Sequence, residues 1–218
     1  MFKKTLVAAA VFCSGFVAQA SAATLNGTFT IDIYQGTSLN AAQSRAIKSN
    51  LGTSGKFLET ITYSGDLDFA TMRGNATTIG DWLATGVGGS FSISAATAGL
   101  QLSKANINKG SATTTFFDIT ANFATAFDSV IRHDDGASVF DDGVQLVSTP
   151  GPTGVVTTYA NGFDGGEWNL LYAATNSNPS ILNVTGDNLP PAVPLPAGLP
   201  LLLAGVGAFA YLRRRQAA

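Results

Sequence analysis

The residues most able to do chemistry cluster in one run, His133-Asp134-Asp135-Gly136-Ala137-Ser138-Val139-Phe140-Asp141-Asp142-Gly143, where four of the chain's fourteen acidic residues fall within nine positions. Adjacent carboxylates at a glycine-containing bend repel one another unless they are fully solvated or share a cation. Calcium suits such a loop best, because it takes hard oxygen ligands from short side chains and backbone carbonyls. The competing reading is that Asp-Gly is ordinary hairpin chemistry, and Asp141-Asp142-Gly143 in particular reads equally as a turn between two strands. EF-hand ligand spacing and its terminal Glu are absent. His133 beside two aspartates could act as a base, although a lone His next to a turn is more often structural, and the chain has neither a Gly-x-Ser-x-Gly elbow nor a His-Glu-x-x-His pair. An Asp pair working with Glu59 or Glu167 as acid and base would make a glycan hydrolase. Trp82 and Trp168, both near glycine-rich stretches, could stack on a sugar ring or belong to the core.

The elements that must position these residues read as mostly β. Thr28 to Tyr34 alternates Phe29, Ile31 and Ile33 with polar neighbours, and Phe117 to Phe123 does the same with Phe117, Ile119, Ala121 and Phe123. Further strands are predicted over Phe57 to Tyr63, Gly89 to Ser94, Ala137 to Phe140, Val144 to Ser148, Val155 to Tyr159, Glu167 to Ala173 and Ser180 to Val184, separated by Gly, Asp, Asn and Pro. Nine short strands with such turns predict an all-β fold, a β-sandwich. Helix spacing predicts one helix from Leu39 to Leu51, N-capped by Ser38, with Ala42, Ala46 and Ile47 on one face and Gly52 as its stop. A second, shorter helix is predicted over Ile79 to Leu83.

Composition narrows the function classes. The chain has 218 residues, 12 Lys+Arg, 14 Asp+Glu, one His and one Cys. Five of the basic residues (Lys3, Lys4, Arg213, Arg214, Arg215) sit at the ends, so Ala23 to Ala192 holds seven basic and fourteen acidic residues, a net charge of −7. An acidic body without a basic stripe argues against nucleic acid as a partner. Single Cys and His residues exclude most zinc, haem and iron–sulfur sites.

Both ends carry targeting patterns. Met1 to Lys4 is a basic n-region and Leu6 to Val17 an apolar h-region, and Ala18-Gln19-Ala20 or Ala20-Ser21-Ala22 fits signal peptidase, so residues 1–22 are expected to be a signal peptide. Cys13 would leave with it, which rules out a disulfide scaffold. At the other end, Leu195 to Leu212 is an uncharged 18-residue stretch, about 27 Å long if helical. Arg213, Arg214 and Arg215 follow and should stay cytoplasmic, placing the body outside the inner membrane. Asn188 to Pro196 reads as a stiff Pro-rich linker. The division expected is 1–22 signal peptide, 23–187 β-sandwich, 188–196 linker with the sorting motif, and 197–218 transmembrane helix with an Arg-rich tail.

Val193, Pro194, Leu195, Pro196 and Ala197, followed by an apolar segment and an Arg cluster, resemble the VPLPA variant of the PEP-CTERM sorting signal. The resemblance implies processing by an exosortase-type enzyme, release or transfer of the body to the cell surface or medium, and association with exopolysaccharide. It covers the last 25 or so residues and leaves open what the body does.

A second resemblance covers roughly Phe117 to Val184. A strand entering Asp134-Asp135-Gly136, a further strand to Asp142-Gly143, then Gly166-Glu167-Trp168-Asn169-Leu170-Leu171-Tyr172 and a polar loop before Leu182 are similar to the second half of a PA14-type domain. In the adhesin members of that β-sandwich family, an Asp-Asp pair joined by a cis peptide and an Asn from a later loop hold calcium, which ligates sugar hydroxyls. The resemblance implies Asp134 and Asp135 as the pair and Asn176 or Asn178 as the loop ligand. The sequence therefore points to a non-catalytic surface or matrix protein that binds carbohydrate with Ca2+. Two alternatives stay open: a structural matrix component without a specific ligand, and the hydrolase.

Overall fold

The computed structural model describes residues 23–71, 77–105 and 107–187. The expected signal peptide and linker with Val193 to Ala197, the apolar stretch and Arg213 to Arg215 lie outside the described residues.

Twelve strands form two antiparallel sheets: β1 (Ala23–Thr24), β2 (Asn26–Leu39), β3 (Lys56–Asp66), β4 (Asp68–Ala70), β5 (Ser90–Phe91), β6 (Ala112–Phe123), β7 (Phe127–Asp134), β8 (Gly136–Asp141), β9 (Val144–Thr149), β10 (Val156–Phe163), β11 (Gly166–Ala174) and β12 (Ile181–Asp187). The smaller sheet has the order β1-β12-β7-β10, with β4 also pairing β12; the larger has the order β5-β3-β2-β6-β11-β8-β9. Two short helices lie between strands, α1 (Ile79–Leu83) between β4 and β5 and α2 (Ala95–Ala98) between β5 and β6. The fold is an all-β sandwich, as the alternation predicts.

The period-two residues of the larger sheet, Phe29, Ile31, Ile33, Phe117, Ile119, Trp168, Leu170 and Tyr172, face Ile131, Leu182 and Val184 of the smaller one in a single core. Helix α1 closes it. Thr78 and Asp81 form a capping box at its start, and Trp82 is fully buried between Phe69, Phe117 and Tyr172, with ring centroids 4.6, 4.5 and 5.5 Å away. Trp168 is also fully buried. Both indoles are core residues, and neither can stack on a sugar.

The long predicted helix is absent. Leu39 ends β2, paired with Ala112, and Ser38 sits there with φ 59° rather than capping a helix. Residues 40–55 instead cover the outer face of the larger sheet, where Leu39 and Ala46 pack on Phe116, Phe140, Leu171 and Ala173. Local side-chain bonds and one tertiary bond replace the helical ladder. Asn40 Oδ1 accepts from the amides of Ala42 and Gln43, Asn50 Nδ2 donates to the carbonyls of Ala42 and Arg45, and the Ala46 amide donates to Pro150 O. Only Lys48–Asn50 makes a turn of 3-10 helix. This cover also explains why Leu170 and Leu171 are both buried: β11 has protein on both faces.

The predicted strand over Gly89 to Ser94 shrinks to Ser90–Phe91, because Ser94 leaves the sheet to cap α2, its side chain accepting from the Thr97 amide. β7 is the one long strand that hydrophobic alternation did not reveal. Its inward positions are Phe127, Ser129, Ile131 and His133, two of them polar, so the period is present in burial and hidden in residue type.

Candidate functional site

Three chain crossings between the sheets meet at one pole of the sandwich. β7 passes into β8 through Asp134-Asp135-Gly136, β9 passes into β10 through residues 150–155, and β11 passes into β12 through residues 175–180. Together with Ala41, Ile107 and Asn108 they line a cleft of about 560 Å³ that includes Asp134, Asp135, Pro152, Thr153, Gly154, Thr175, Asn176, Ser177, Asn178 and Pro179. The four residues that the PA14-type resemblance singles out, Asp134, Asp135, Asn176 and Asn178, thus share one cavity although some 40 positions separate the pairs.

Local chemistry fixes the crossing. Gly136 has no room for a side chain, since a Cβ there would meet Pro150 O at 2.1 Å and Pro150 C at 2.7 Å. The peptide bond between Asp134 and Asp135 is cis. Both carbonyls of the pair are held from inside the core. The Tyr172 hydroxyl donates to Asp134 O, and His133 Nδ1 lies 2.5 Å from Asp135 O. A carbonyl can only accept, so His133 carries its proton on Nδ1, while Nε2 lies 2.8 Å from the Thr158 hydroxyl, which itself donates to Thr149 Oγ1 at 3.0 Å. Burial pushes the His133 pKa down and keeps the ring neutral. His133 is fully buried and structural; the base reading has no substrate-facing atom to support it.

The Asp135 carboxylate is 1% exposed. Oδ1 accepts from the Thr153 amide at 3.2 Å and Oδ2 from the Thr175 amide at 3.0 Å, so each of the other two crossings contributes one backbone donor. Burial and then the charge of Asp134 raise its pKa to about 8, against the opposing effect of those two amides. Asp134 is 6% exposed. The 175–180 loop is tied down in turn: Thr71 Oγ1 donates to Asn178 Oδ1, Asn178 Nδ2 to Thr77 Oγ1, Ser177 Oγ accepts from the Ala105 amide, and Trp82 Nε1 donates to Ser180 O. Asn176 is exposed with φ 61°.

The donor set fits a hard divalent cation in kind. It offers two carboxylates, two amide oxygens, hydroxyls and loop carbonyls, with no thiol or imidazole facing the cleft. Among the described residues no three His, Cys, Asp or Glu side chains converge, so amide and carbonyl oxygens would have to complete the six to eight ligands that calcium takes.

The second acidic pair is a turn. Asp142 and Gly143 have φ of 44° and 80° between Asp141 and Val144, which pair, as a type I′ hairpin requires. Asp142 Oδ1 accepts from the Glu167 amide and Asp141 Oδ2 from the Asp164 amide. Neither Glu59 nor Glu167 lines the cleft. Glu59 accepts from the amide and hydroxyl of Ser94, and Glu167 stands at the opposite pole, paired with Asn122. The acid–base arrangement of the hydrolase reading is not assembled at Asp134-Asp135.

Sequence reasoning missed Thr153, Thr175 and Asn108 at this site. The first two act through backbone amides, which leave no trace in residue type; Pro150-Gly151-Pro152 marks the Thr153 loop as a turn and nothing more.

No family model matches the chain, and no curated protein matches it. Among solved structures the fold is similar to a PA14 sugar-binding domain from an RTX adhesin, at 15% identity over 75% of this chain and 90% of that one, with a TM-score of 0.47. It is also similar to the PA14 domain of an antifreeze protein, at 12% identity over 79% and 89% of the two chains and a TM-score of 0.46. A GH31 alpha-xylosidase from Xanthomonas citri is similar at 11% identity, 79% of this chain, 16% of that chain and a TM-score of 0.34.

Proposed function

We propose that this is an exported, non-catalytic surface or matrix protein whose sandwich binds carbohydrate through a calcium ion held by Asp134 and Asp135, with Asn176 or Asn178 completing the set. One observation carries the reading: two adjacent, buried carboxylates and two amide side chains from a distant loop line a single cleft at the end of the sandwich. Bound there, calcium would supply a Lewis-acidic centre for sugar hydroxyl pairs. The chain's own part is to orient the carboxylates. Tyr172 and His133 hold the two carbonyls, and the Thr153 and Thr175 amides hold the Asp135 oxygens, so the pair is rigid before any ligand arrives.

Calcium should therefore stabilise the 23–187 domain by mass action, by about 2.7 kcal/mol at a hundredfold excess over the dissociation constant, and raise its melting temperature accordingly. Magnesium should do less, because it demands octahedral geometry and dehydrates reluctantly. Asp134→Asn or Asp135→Asn should abolish the response. Equal melting temperatures in millimolar calcium and in chelator would leave the purely structural matrix role. A glycan array run with and without chelator then tests the sugar half of the proposal.

Export and sorting are part of the same reading. Signal peptidase would remove residues 1–22, and an exosortase-type enzyme would cut near Val193 to Ala197 after Arg213, Arg214 and Arg215 had set the topology in the inner membrane. Mass spectrometry of the mature product tests both cuts, and a product intact through Arg215 would leave a plain membrane anchor.

A further inference from the structure

Charge is spread unevenly between the two poles of the sandwich. At the pole opposite the cleft, strand ends and turns carry Asp128, Asp141, Asp142, Asp164 and Glu167, and residues 123–128, 141–144 and 161–167 contain no Lys or Arg. Four stretches border the cleft: residues 40–46, 104–110, 150–155 and 175–180. Together they contain three cations, Arg45, Lys104 and Lys109, and no acid. The carboxylates at the cleft itself are those of Asp134 and Asp135.

Backbone contacts tie each cation to the rim. Lys109 follows Asn108, which lines the cleft, and both belong to one turn of 3-10 helix (Ile107–Lys109). Lys104 precedes Ala105, whose amide donates to Ser177 Oγ at 2.9 Å on the 175–180 loop. The Lys104 amide is itself fixed by the Thr113 carbonyl at 3.0 Å. Arg45 precedes Ala46, whose amide donates to Pro150 O at 2.9 Å, beside the crossing that Gly136 packs against. All three cationic residues are exposed. Among the described residues the ion pair is that of Lys48 with Asp118, so no acid of this domain neutralises the three.

A calcium ion cancels the charge of Asp134 and Asp135 once both are ionised, and leaves the three cations to set the field at the cleft mouth. Exposed cations around a concave site attract and orient negative ligands, and they set specificity and on-rate more than raw affinity. A neutral glycan would make no use of them.

We propose that the cleft takes an anionic polysaccharide, with calcium on sugar hydroxyls and Lys109, Lys104 and Arg45 facing the acidic groups of the ligand. The proposal rests on the calcium-dependent carbohydrate reading above and names its ligand class. The acidic pole repels the same polymer, so the protein engages it from the cleft side.

The test is an array of neutral, uronate-bearing and sulfated oligosaccharides, with the uronate set printed again after carboxyl reduction, probed in calcium with the exported protein. Acidic glycans of either class should bind, and the carboxyl-reduced forms should bind about fivefold or more weakly than their parents. Binding should also weaken as salt rises from about 50 to about 500 mM, because screening shortens the range of exposed charges. Lys104→Gln combined with Lys109→Gln should cost about as much as carboxyl reduction, and Lys109→Glu alone should also weaken binding. In both variants the calcium shift in melting temperature should keep its wild-type value, which shows that the fold and the ion site are intact. Binding confined to neutral glycans would overturn the proposal, as would acidic binding that the lysine variants leave unchanged; either result leaves the calcium reading standing. A blank array would overturn it too, and a missing calcium shift would take the calcium reading with it.

Discussion

Replacing Asp135 by Asn should destabilise the ion-free domain in acid and stabilise it in base, with the sign reversing between. In the folded state the Asp135 carboxyl titrates at about 8, against an ordinary value of 3.8. Between those values the unfolded chain has released a proton that the folded chain retains, so stability falls as pH rises through this window and levels off above it. At about 1.36 kcal/mol per pH unit, the ceiling on that loss is about 6 kcal/mol. Asn escapes it entirely, but cannot accept from both the Thr153 and Thr175 amides, and leaving one unpaired costs about 1–3 kcal/mol at every pH. In chelator at pH 4.5 the variant should melt below wild type, and at pH 8.5 above it. A domain of this size moves about 2–4 °C per kcal/mol, so both differences are measurable by calorimetry. In saturating calcium at pH 8.5 the order should invert, because only wild type gains from the ion. A difference between variant and wild type that stays constant from pH 4.5 to 8.5 would refute the argument that burial and Asp134 hold Asp135 protonated.

Gly136→Ala should be among the most damaging single-methyl changes in the chain, because its Cβ meets the Pro150 carbonyl at 2.1 Å; a loss of about 3 kcal/mol or more in urea denaturation is expected, and a loss under about 1 kcal/mol would show that the crossing relaxes freely. Asp142→Asn should leave the calcium response unchanged, since that pair is a hairpin turn at the opposite pole; a response lost in this variant would move the ion site there. His133 is the only histidine, so its ring nitrogens can be followed by NMR without ambiguity. Burial lowers its pKa from the ordinary 6.5, so the stability that depends on the neutral ring should fade as pH drops below that value.

The Phe29-Ile31-Ile33 and Phe117-Ile119-Ala121 alternations specify half-buried strands whatever surrounds them, since side chains alternate faces with a period of two. The capping pair at Thr78 and Asp81 likewise places α1 by local bonds. The Asp134-Asp135 pair stood out because charge adjacency is a property of the chain itself. Three things were decided only by tertiary contacts. Residues 40–55 have a helical spacing of Ala42, Ala46 and Ile47, yet the Ala46 amide bonds Pro150 O and Leu39 and Ala46 pack on Phe116, Phe140, Leu171 and Ala173, partners that outweigh a ladder over so short a span. β7 is a strand because Ser129 and His133 find buried partners in Ala160 O, Asp135 O and Thr158, which residue type alone would place outside. The site itself needed the third dimension most: Asp135 depends on amides 18 and 40 residues away, and backbone donors are common to every non-proline residue, so only the folding of three crossings onto one pole distinguishes Thr153 and Thr175 from any other threonine.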